Sequence, residues 1–123
     1  MVQSISTQAN SNGADTLTWT TICALEAIVP NTGVNALIGD EQVAIFRIGE
    51  TEEVYAISNF EPFSKAYVLS RGIVGDRQGV LKVASPIYKQ NFNLKTGECL
   101  DDETVKIPVY PARVVDGQVQ VAG

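Results

Sequence analysis

The 123-residue sequence contains no histidine and only two cysteines. The absence of histidine excludes a Ser-His-Asp triad, a Cys-His dyad and every metal site that needs an imidazole ligand. The cysteines, Cys23 and Cys99, are far apart and too few for a thiolate-only zinc or iron–sulfur site. We expect both to be reduced thiols because the sequence shows no secretory signal, and a single bridge between them is the alternative.

Basic charge and long apolar runs are also scarce. The chain carries 14 acidic and 9 basic residues, a net charge of −5 and an isoelectric point near 4.6. Nucleic acids and anionic membrane surfaces both attract basic proteins, so we predict neither as a partner. No apolar run approaches the roughly 20 residues needed to cross a membrane. We therefore expect a cytoplasmic protein.

The sequence does contain a series of short strand patterns. Alternating apolar and polar positions and turn residues predict about eight or nine strands and no long helix. These predictions include a strand over Val80–Ala84 and a hairpin turn at Asp116-Gly117. Residues 58–79 show no sustained period and are predicted to form a long loop. We predict an all-β sandwich or barrel of short antiparallel strands over residues 17–123, preceded by a disordered polar tail over residues 1–16.

Two predicted loops have related sequences. The first is Asn59-Phe60-Glu61-Pro62-Phe63-Ser64 and the second is Ala84-Ser85-Pro86-Ile87-Tyr88-Lys89. This order of strands and loops resembles the Rieske iron–sulfur domain, in which Cys-x-His in the first loop and Cys-x-x-His in the second hold the cluster. In this sequence the corresponding positions are Glu61, Phe63, Ser85 and Tyr88. The resemblance therefore implies a Rieske-like fold without its cluster.

A more specific resemblance comes from the segment between the loops, Leu69-Ser70-Arg71-Gly72-Ile73-Val74-Gly75-Asp76. Together with the loops, it is similar to the small subunits of assimilatory NAD(P)H-dependent nitrite reductases. This resemblance implies a non-redox subunit of an enzyme that reduces nitrite to ammonium, with no catalytic residue and no cofactor on this chain. It also implies a large partner subunit that carries FAD, an iron–sulfur cluster and sirohaem.

Charge is unevenly distributed along the chain. Residues 61–98 contain six of the nine basic residues but only three of the 14 acidic ones. A basic loop face suits an acidic partner surface. We predict that the following side chains contact the large subunit: Phe63, Lys65, Arg71, Ile87, Tyr88 and Lys89.

Without a metal, the two loops must be held together in another way. We hypothesise an apolar pad between the loop tips, and hydrogen bonds from Ser85 or Tyr88 to Glu61. The pad would consist of Pro62, Phe63, Pro86, Ile87 and Tyr88.

Three less favoured interpretations remain open. The oxygen atoms of Glu61, Ser85 and Tyr88 are a thin ligand set for a mononuclear iron. Ser85 and Lys89 have the residue types of a Ser-Lys catalytic pair, although no oxyanion hole is evident. The alternative for the chain as a whole is a free-standing interaction or small-ligand module built on a Rieske scaffold.

Overall fold

The protein was analysed as a computed structural model, which describes residues 17–123. The predicted tail over residues 1–16 lies outside the described residues. The described part contains twelve strands and two short 3₁₀ turns, Leu25–Ala27 and Leu69–Arg71. The strands are β1 (Trp19–Ala24), β2 (Gly33–Ile38), β3 (Glu41–Ile48), β4 (Glu53–Ser58), β5 (Phe60–Glu61), β6 (Ala66–Tyr67), β7 (Ile73–Arg77), β8 (Val80–Ala84), β9 (Asn91–Asn93), β10 (Val109–Tyr110), β11 (Ala112–Val115) and β12 (Gln118–Ala122).

A four-stranded antiparallel sheet, in the order β10-β4-β3-β2, lies at the centre of the fold. Its strand β3 contains the apolar run Val43-Ala44-Ile45-Phe46, and all four side chains are buried. Because successive side chains of a strand point to opposite faces, both faces of this sheet must be covered. An uninterrupted apolar run is the pattern expected of such a strand.

Each face of the central sheet is covered by a different three-stranded sheet. On one face, Val43 and Ile45 pack with Val119 and Val121 of the sheet β11-β12-β1. On the other face, Phe46 joins a second cluster that contains Val83 and Phe92 of the sheet β9-β8-β7. The predicted all-β class is confirmed, with two hydrophobic clusters on either side of one sheet.

The predicted turns are largely confirmed, but the long predicted loop is wrong. Asp116 and Gly117 have φ values of 51° and 76°, as a two-residue hairpin turn between β11 and β12 requires. Residues 58–79, in contrast, contain β5, β6, β7 and the second 3₁₀ turn. Strands of two residues are too short to produce a readable alternation, and the glycines interrupt what remains.

The second 3₁₀ turn is pressed against the end of β8. Leu69 is fully buried, and a Cβ at Gly72 would lie 2.4 Å from the carbonyl oxygen of Ala84. Only glycine permits this approach. Ile73 pairs with Ala84 at the start of β7. The segment therefore holds Arg71 and Ile73 beside the start of the second loop.

Neither helical turn in residues 17–123 has the length or apolar character to cross a membrane.

Candidate functional site

Two loops at one end of the fold adopt the same turn. We call Glu61–Lys65 loop 1 and Ser85–Lys89 loop 2. In each loop the last N–H donates to the first carbonyl, at 2.8 Å in loop 1 and 3.1 Å in loop 2. Both final residues are lysines with positive φ, 58° for Lys65 and 70° for Lys89. The two loops are therefore two copies of one backbone turn, each beginning with a polar residue that precedes proline.

The first side chain of each loop also accepts a hydrogen bond from the N–H two residues later. Glu61 Oε2 accepts from the N–H of Phe63, and Ser85 Oγ accepts from the N–H of Ile87 at 3.2 Å. Such local bonds are typical of acidic and hydroxyl side chains that open a turn.

The Glu61 side chain joins the loops. Its exposed fraction is 0%, and its carboxylate accepts three hydrogen bonds. Two come from the backbone N–H groups of Phe63 and Ser64 in loop 1, the latter at 3.0 Å. The third comes from Ser85 Oγ of loop 2, at 2.8 Å. The predicted hydrogen bond between Glu61 and Ser85 is therefore confirmed.

The two aromatic residues at the former ligand positions are placed differently. Phe63 is half-buried, and its ring centroid lies 6.2 Å from that of Phe92 in the core. Tyr88 is 59% exposed, and its neighbour Ile87 is also exposed. The predicted apolar pad between the loop tips is thus replaced by packing of loop 1 alone against the core.

Loop 2 and the adjacent segments form an exposed surface that is both apolar and basic. Five of the predicted contact residues are exposed, namely Lys65, Arg71, Ile87, Tyr88 and Lys89. The structure adds Tyr67 and Ile73, which is 67% exposed. We call these seven residues the loop face. The sequence analysis missed Tyr67 and Ile73 because residues 58–79 show no period from which outward-facing positions could be predicted.

Within the described residues, no acidic side chain forms an ion pair with a basic residue of the loop face. The ion pairs within residues 17–123 are Arg47–Glu26 at 3.8 Å and Arg77–Asp101 at 3.1 Å. None of Lys65, Arg71 and Lys89 takes part in them.

An acidic turn lies at the end of the central sheet opposite loop 1. The turn between β3 and β4 and the first residue of β4 present three exposed glutamates, Glu50, Glu52 and Glu53. Loop 1 begins beyond the other end of β4, which is roughly 17 Å long at about 3.3 Å per residue. This acidic turn and loop 1 therefore lie at opposite ends of β4.

Two polar side chains that the sequence analysis did not single out anchor the loops. Asn59, which is almost fully buried, accepts a hydrogen bond from the N–H of Ser70 at 2.7 Å and donates one to Gln42 at 3.2 Å. Asp101 accepts from the backbone and side-chain N–H groups of Asn91, at 2.7 and 3.0 Å. The first of these bonds is the main cause that lowers the pKa of Asp101, to which Arg77 also contributes.

The donor atoms at the former ligand positions do not suit an iron–sulfur cluster. None of the four residues offers a thiolate or an imidazole, and both carboxylate oxygens of Glu61 already accept hydrogen bonds. Within residues 17–123, no three acidic, cysteine or histidine side chains converge on a point. Tyr88 is largely exposed whereas Glu61 and Ser85 are buried, which also disfavours the three-oxygen iron site.

The Ser-Lys interpretation is not supported by the geometry either. Ser85 is 1% exposed and its hydroxyl is bonded to Glu61, whereas Lys89 Nζ approaches the carbonyl oxygen of Pro86 at 3.4 Å. Cys23 and Cys99 are both free and belong to different hydrophobic clusters.

Comparison with known proteins agrees with this geometry. A family profile described as a Rieske-like [2Fe-2S] domain matches residues 18–122. The nitrite reductase (NADH) small subunit of Escherichia coli K12 is 52% identical over 105 residues, covering 85% of this chain and 97% of the relative. The NMR structure of the E. coli protein NirD superposes with a TM-score of 0.82 at 51% identity, covering 87% of this chain and 97% of that one.

A third relative is a much longer protein. The large subunit of nitrite reductase [NAD(P)H] from Klebsiella oxytoca is 43% identical over 103 residues, which cover 84% of this chain but 11% of that protein. Sequence of this type therefore occurs within a large-subunit chain. The match to the E. coli protein covers nearly its whole length, and the family profile covers residues 18–122. The chain therefore belongs to the family of nitrite reductase small subunits, which is built on the Rieske-like domain.

Proposed function

We propose that this chain binds the large subunit of a cytoplasmic NAD(P)H nitrite reductase through the loop face. The large subunit carries FAD, an iron–sulfur cluster and sirohaem in this proposal, and reduces nitrite to ammonium. The small subunit offers apolar contacts, hydrogen bonds and charge. Its contribution is therefore positional: it stabilises the active geometry of the large subunit or controls access to it.

The observation that carries the proposal is the composition of the loop face. Four large apolar or aromatic side chains are exposed there: Tyr67, Ile73, Ile87 and Tyr88. Grouped apolar exposure marks binding surfaces, and aromatic residues dominate the energetic centre of interfaces. The surrounding bases, Lys65, Arg71 and Lys89, favour an acidic partner and give the interface a salt-dependent association rate.

The Klebsiella large subunit supports the same partnership. Its matching region is covalently part of the large subunit, so the two parts are held at a high effective concentration. A separate small subunit has no such tether and needs an interface of its own. The free-standing module interpretation is not favoured by these relatives.

The proposal is tested by adding the small subunit to the separately purified large subunit. The measurements are the dissociation constant and the rate of nitrite-dependent NAD(P)H oxidation, each at low and high salt. We expect Arg71→Glu to weaken binding about tenfold at low salt, with a smaller loss at high salt.

Lys95→Glu is the matched control for this charge reversal. Lys95 is exposed beyond the far end of β9 and lies outside the loop face. We expect it to change the dissociation constant by less than about twofold. Equal effects of the two reversals would show that overall charge, and not the loop face, governs binding.

A further inference from the structure

We infer that Glu61 is a positioning residue for partner binding, because it fixes, through Ser85, the conformation in which loop 2 presents Ile87 and Tyr88. The inference rests on the proposed function and names the device that holds the docking surface in place. Glu61 and Ser85, which correspond to two Rieske ligand positions, then form a hydrogen-bonded cross-link between the two loops.

The cross-link runs through a single hydroxyl group. Ser85 Oγ donates to Glu61 Oε1 at 2.8 Å and accepts from the N–H of Ile87 at 3.2 Å. Glu61 itself is fixed by the two N–H groups of loop 1. A continuous chain of hydrogen bonds therefore joins the backbone of loop 1 to the backbone at the tip of loop 2.

Two backbone hydrogen bonds close the base of loop 2, from the N–H of Lys89 to the carbonyl of Ser85 at 3.1 Å and from the N–H of Ser85 to the carbonyl of Gln90 at 2.8 Å, whereas its tip has few other restraints. Proline at position 86 has no N–H to donate, and the side chains of Ile87 and Tyr88 are exposed. The tip therefore gains little from packing. The Glu61–Ser85 bond, in contrast, is buried, and hydrogen bonds to a carboxylate in such surroundings are stronger than neutral ones at the surface.

A fixed tip binds more tightly than a mobile one. Ordering a loop or a rotamer-rich side chain on binding costs free energy, and a tip that is already ordered avoids most of that cost. The cross-link thus affects affinity even though neither Glu61 nor Ser85 is exposed for contact with a partner.

The test compares Ser85→Ala with Ser64→Ala in the full chain. Both substitutions remove one buried serine hydroxyl near the loops, but the hydroxyl of Ser64 has no hydrogen-bond partner within residues 17–123. We expect Ser85→Ala to lower the backbone NMR order parameters of residues 87–89 from about 0.85 to below about 0.6. Its affinity for the large subunit should fall about tenfold, whereas Ser64→Ala should change neither quantity.

A double-substitution cycle with Tyr88→Ala separates this inference from the proposed function. If Ser85 acts by presenting Tyr88, the double variant should lose affinity by a smaller factor than the product of the factors for the two single variants. Unchanged order parameters in Ser85→Ala overturn the inference, even if Tyr88→Ala weakens binding and so upholds the docking surface. If Tyr88→Ala binds as tightly as the unsubstituted chain while Ser85→Ala loosens the loop, loop 2 is not the docking element and the inference fails, whereas the proposed function is decided separately by Arg71→Glu. Glu61→Gln, which keeps the side-chain shape, provides a second variant and should loosen the same residues.

Discussion

Loop 1 and loop 2 share one backbone turn but differ in what they do with it. Loop 1 directs its first and third side chains inward: Glu61 is fully buried and Phe63 packs on Phe92. Loop 2 buries only its first residue, Ser85, and exposes Ile87 and Tyr88. The two copies of the turn therefore have different roles: loop 1 stabilises the fold, and loop 2 is available for recognition.

The comparison also shows what replaces a metal cluster in this scaffold. A Rieske cluster holds its two loops with metal–ligand bonds from both sides. Here Glu61 and Ser85, the first residues of the two loops, form a direct hydrogen bond with each other. Phe63 and Tyr88 are therefore not needed to hold the loops together. Phe63 is then free to join the core, and Tyr88 is free to remain at the surface.

The largest effect is expected from removing the anchor of loop 1. Glu61→Ala leaves two backbone N–H groups and one hydroxyl without their acceptor. We expect the free energy of unfolding to fall by about 3 kcal/mol, because each buried polar group left unpaired is costly. Urea denaturation followed by circular dichroism measures this change.

Glu52→Ala is the control for the Glu61 substitution. It removes an exposed glutamate from the turn between β3 and β4, and surface changes of this kind stay within about 0.5 kcal/mol. Similar losses in both variants would contradict the anchoring role of Glu61.

The apolar residues at the third position of each loop, Phe63 and Ile87, should differ in how much they contribute to the stability of the fold. Phe63→Ala removes a half-buried ring from the core, and we expect a loss of about 2 kcal/mol, below the range for fully buried aromatics. Ile87→Ala truncates an exposed side chain and should cost less than about 0.5 kcal/mol. Denaturant midpoints for the two variants give the comparison directly. Equal losses would show that loop 2 is packed as firmly as loop 1.

Binding to the large subunit, unlike stability, should depend more on loop 2 than on loop 1. Tyr88→Ala is expected to weaken binding to the large subunit about tenfold, or about 1.4 kcal/mol, with little change in stability, because exposed aromatics act as interface anchors. Val29→Ala is the control, since Val29 is similarly exposed but lies near the Gly49 turn at the other end of the sheet. Isothermal titration calorimetry measures both. If Val29→Ala costs as much as Tyr88→Ala, the binding surface is not confined to the loop face.

The sequence was sufficient to predict the framework of this fold. Val80–Ala84 forms β8 with the predicted bounds, and Asp116-Gly117 forms the predicted hairpin turn. These features depend on local alternation and on backbone preferences of individual residues, which a sequence displays directly. The pairing of Glu61 with Ser85 was also predictable, because the resemblance places both residues at one site.

The environment of each loop was not predictable from local patterns. Phe63 and Tyr88 are both aromatic residues in Pro-containing loops, yet only Phe63 meets the core. Similarly, Asp101 lies in the run Asp101-Asp102-Glu103, whose composition is typical of a solvated turn, but it accepts two hydrogen bonds from Asn91 just after loop 2. Burial and pairing of this kind depend on residues distant in sequence, so they become visible only when the sheets are assembled.

The smallest effect is expected from the anchor of loop 2, and it depends on pH. Asp101 restrains Asn91 at the exit of loop 2, and its pKa lies below the ordinary value of 3.8, chiefly because of the hydrogen bond from the Asn91 backbone. A carboxylate whose pKa is lowered by folding stabilises the folded state above its unfolded pKa, and this contribution is lost as the pH falls through the folded pKa. The protein should therefore lose part of its stability below about pH 4, and Asp101→Asn should make that loss shallower.

Asp102→Asn is the matched control for this substitution. The pKa of Asp102 is also lowered, by hydrogen bonds from Thr104, so its removal should also flatten the acid limb of the stability curve. Only Asp101 contacts the stem of loop 2, however, so acid-induced NMR shifts at Asn91 should disappear in Asp101→Asn and persist in Asp102→Asn. Persistence of those shifts in both variants would mean that loop 2 is held from Ser85 alone. In that case the buried carboxylate of Glu61 anchors both loops, and the exposed carboxylate of Asp101 anchors neither.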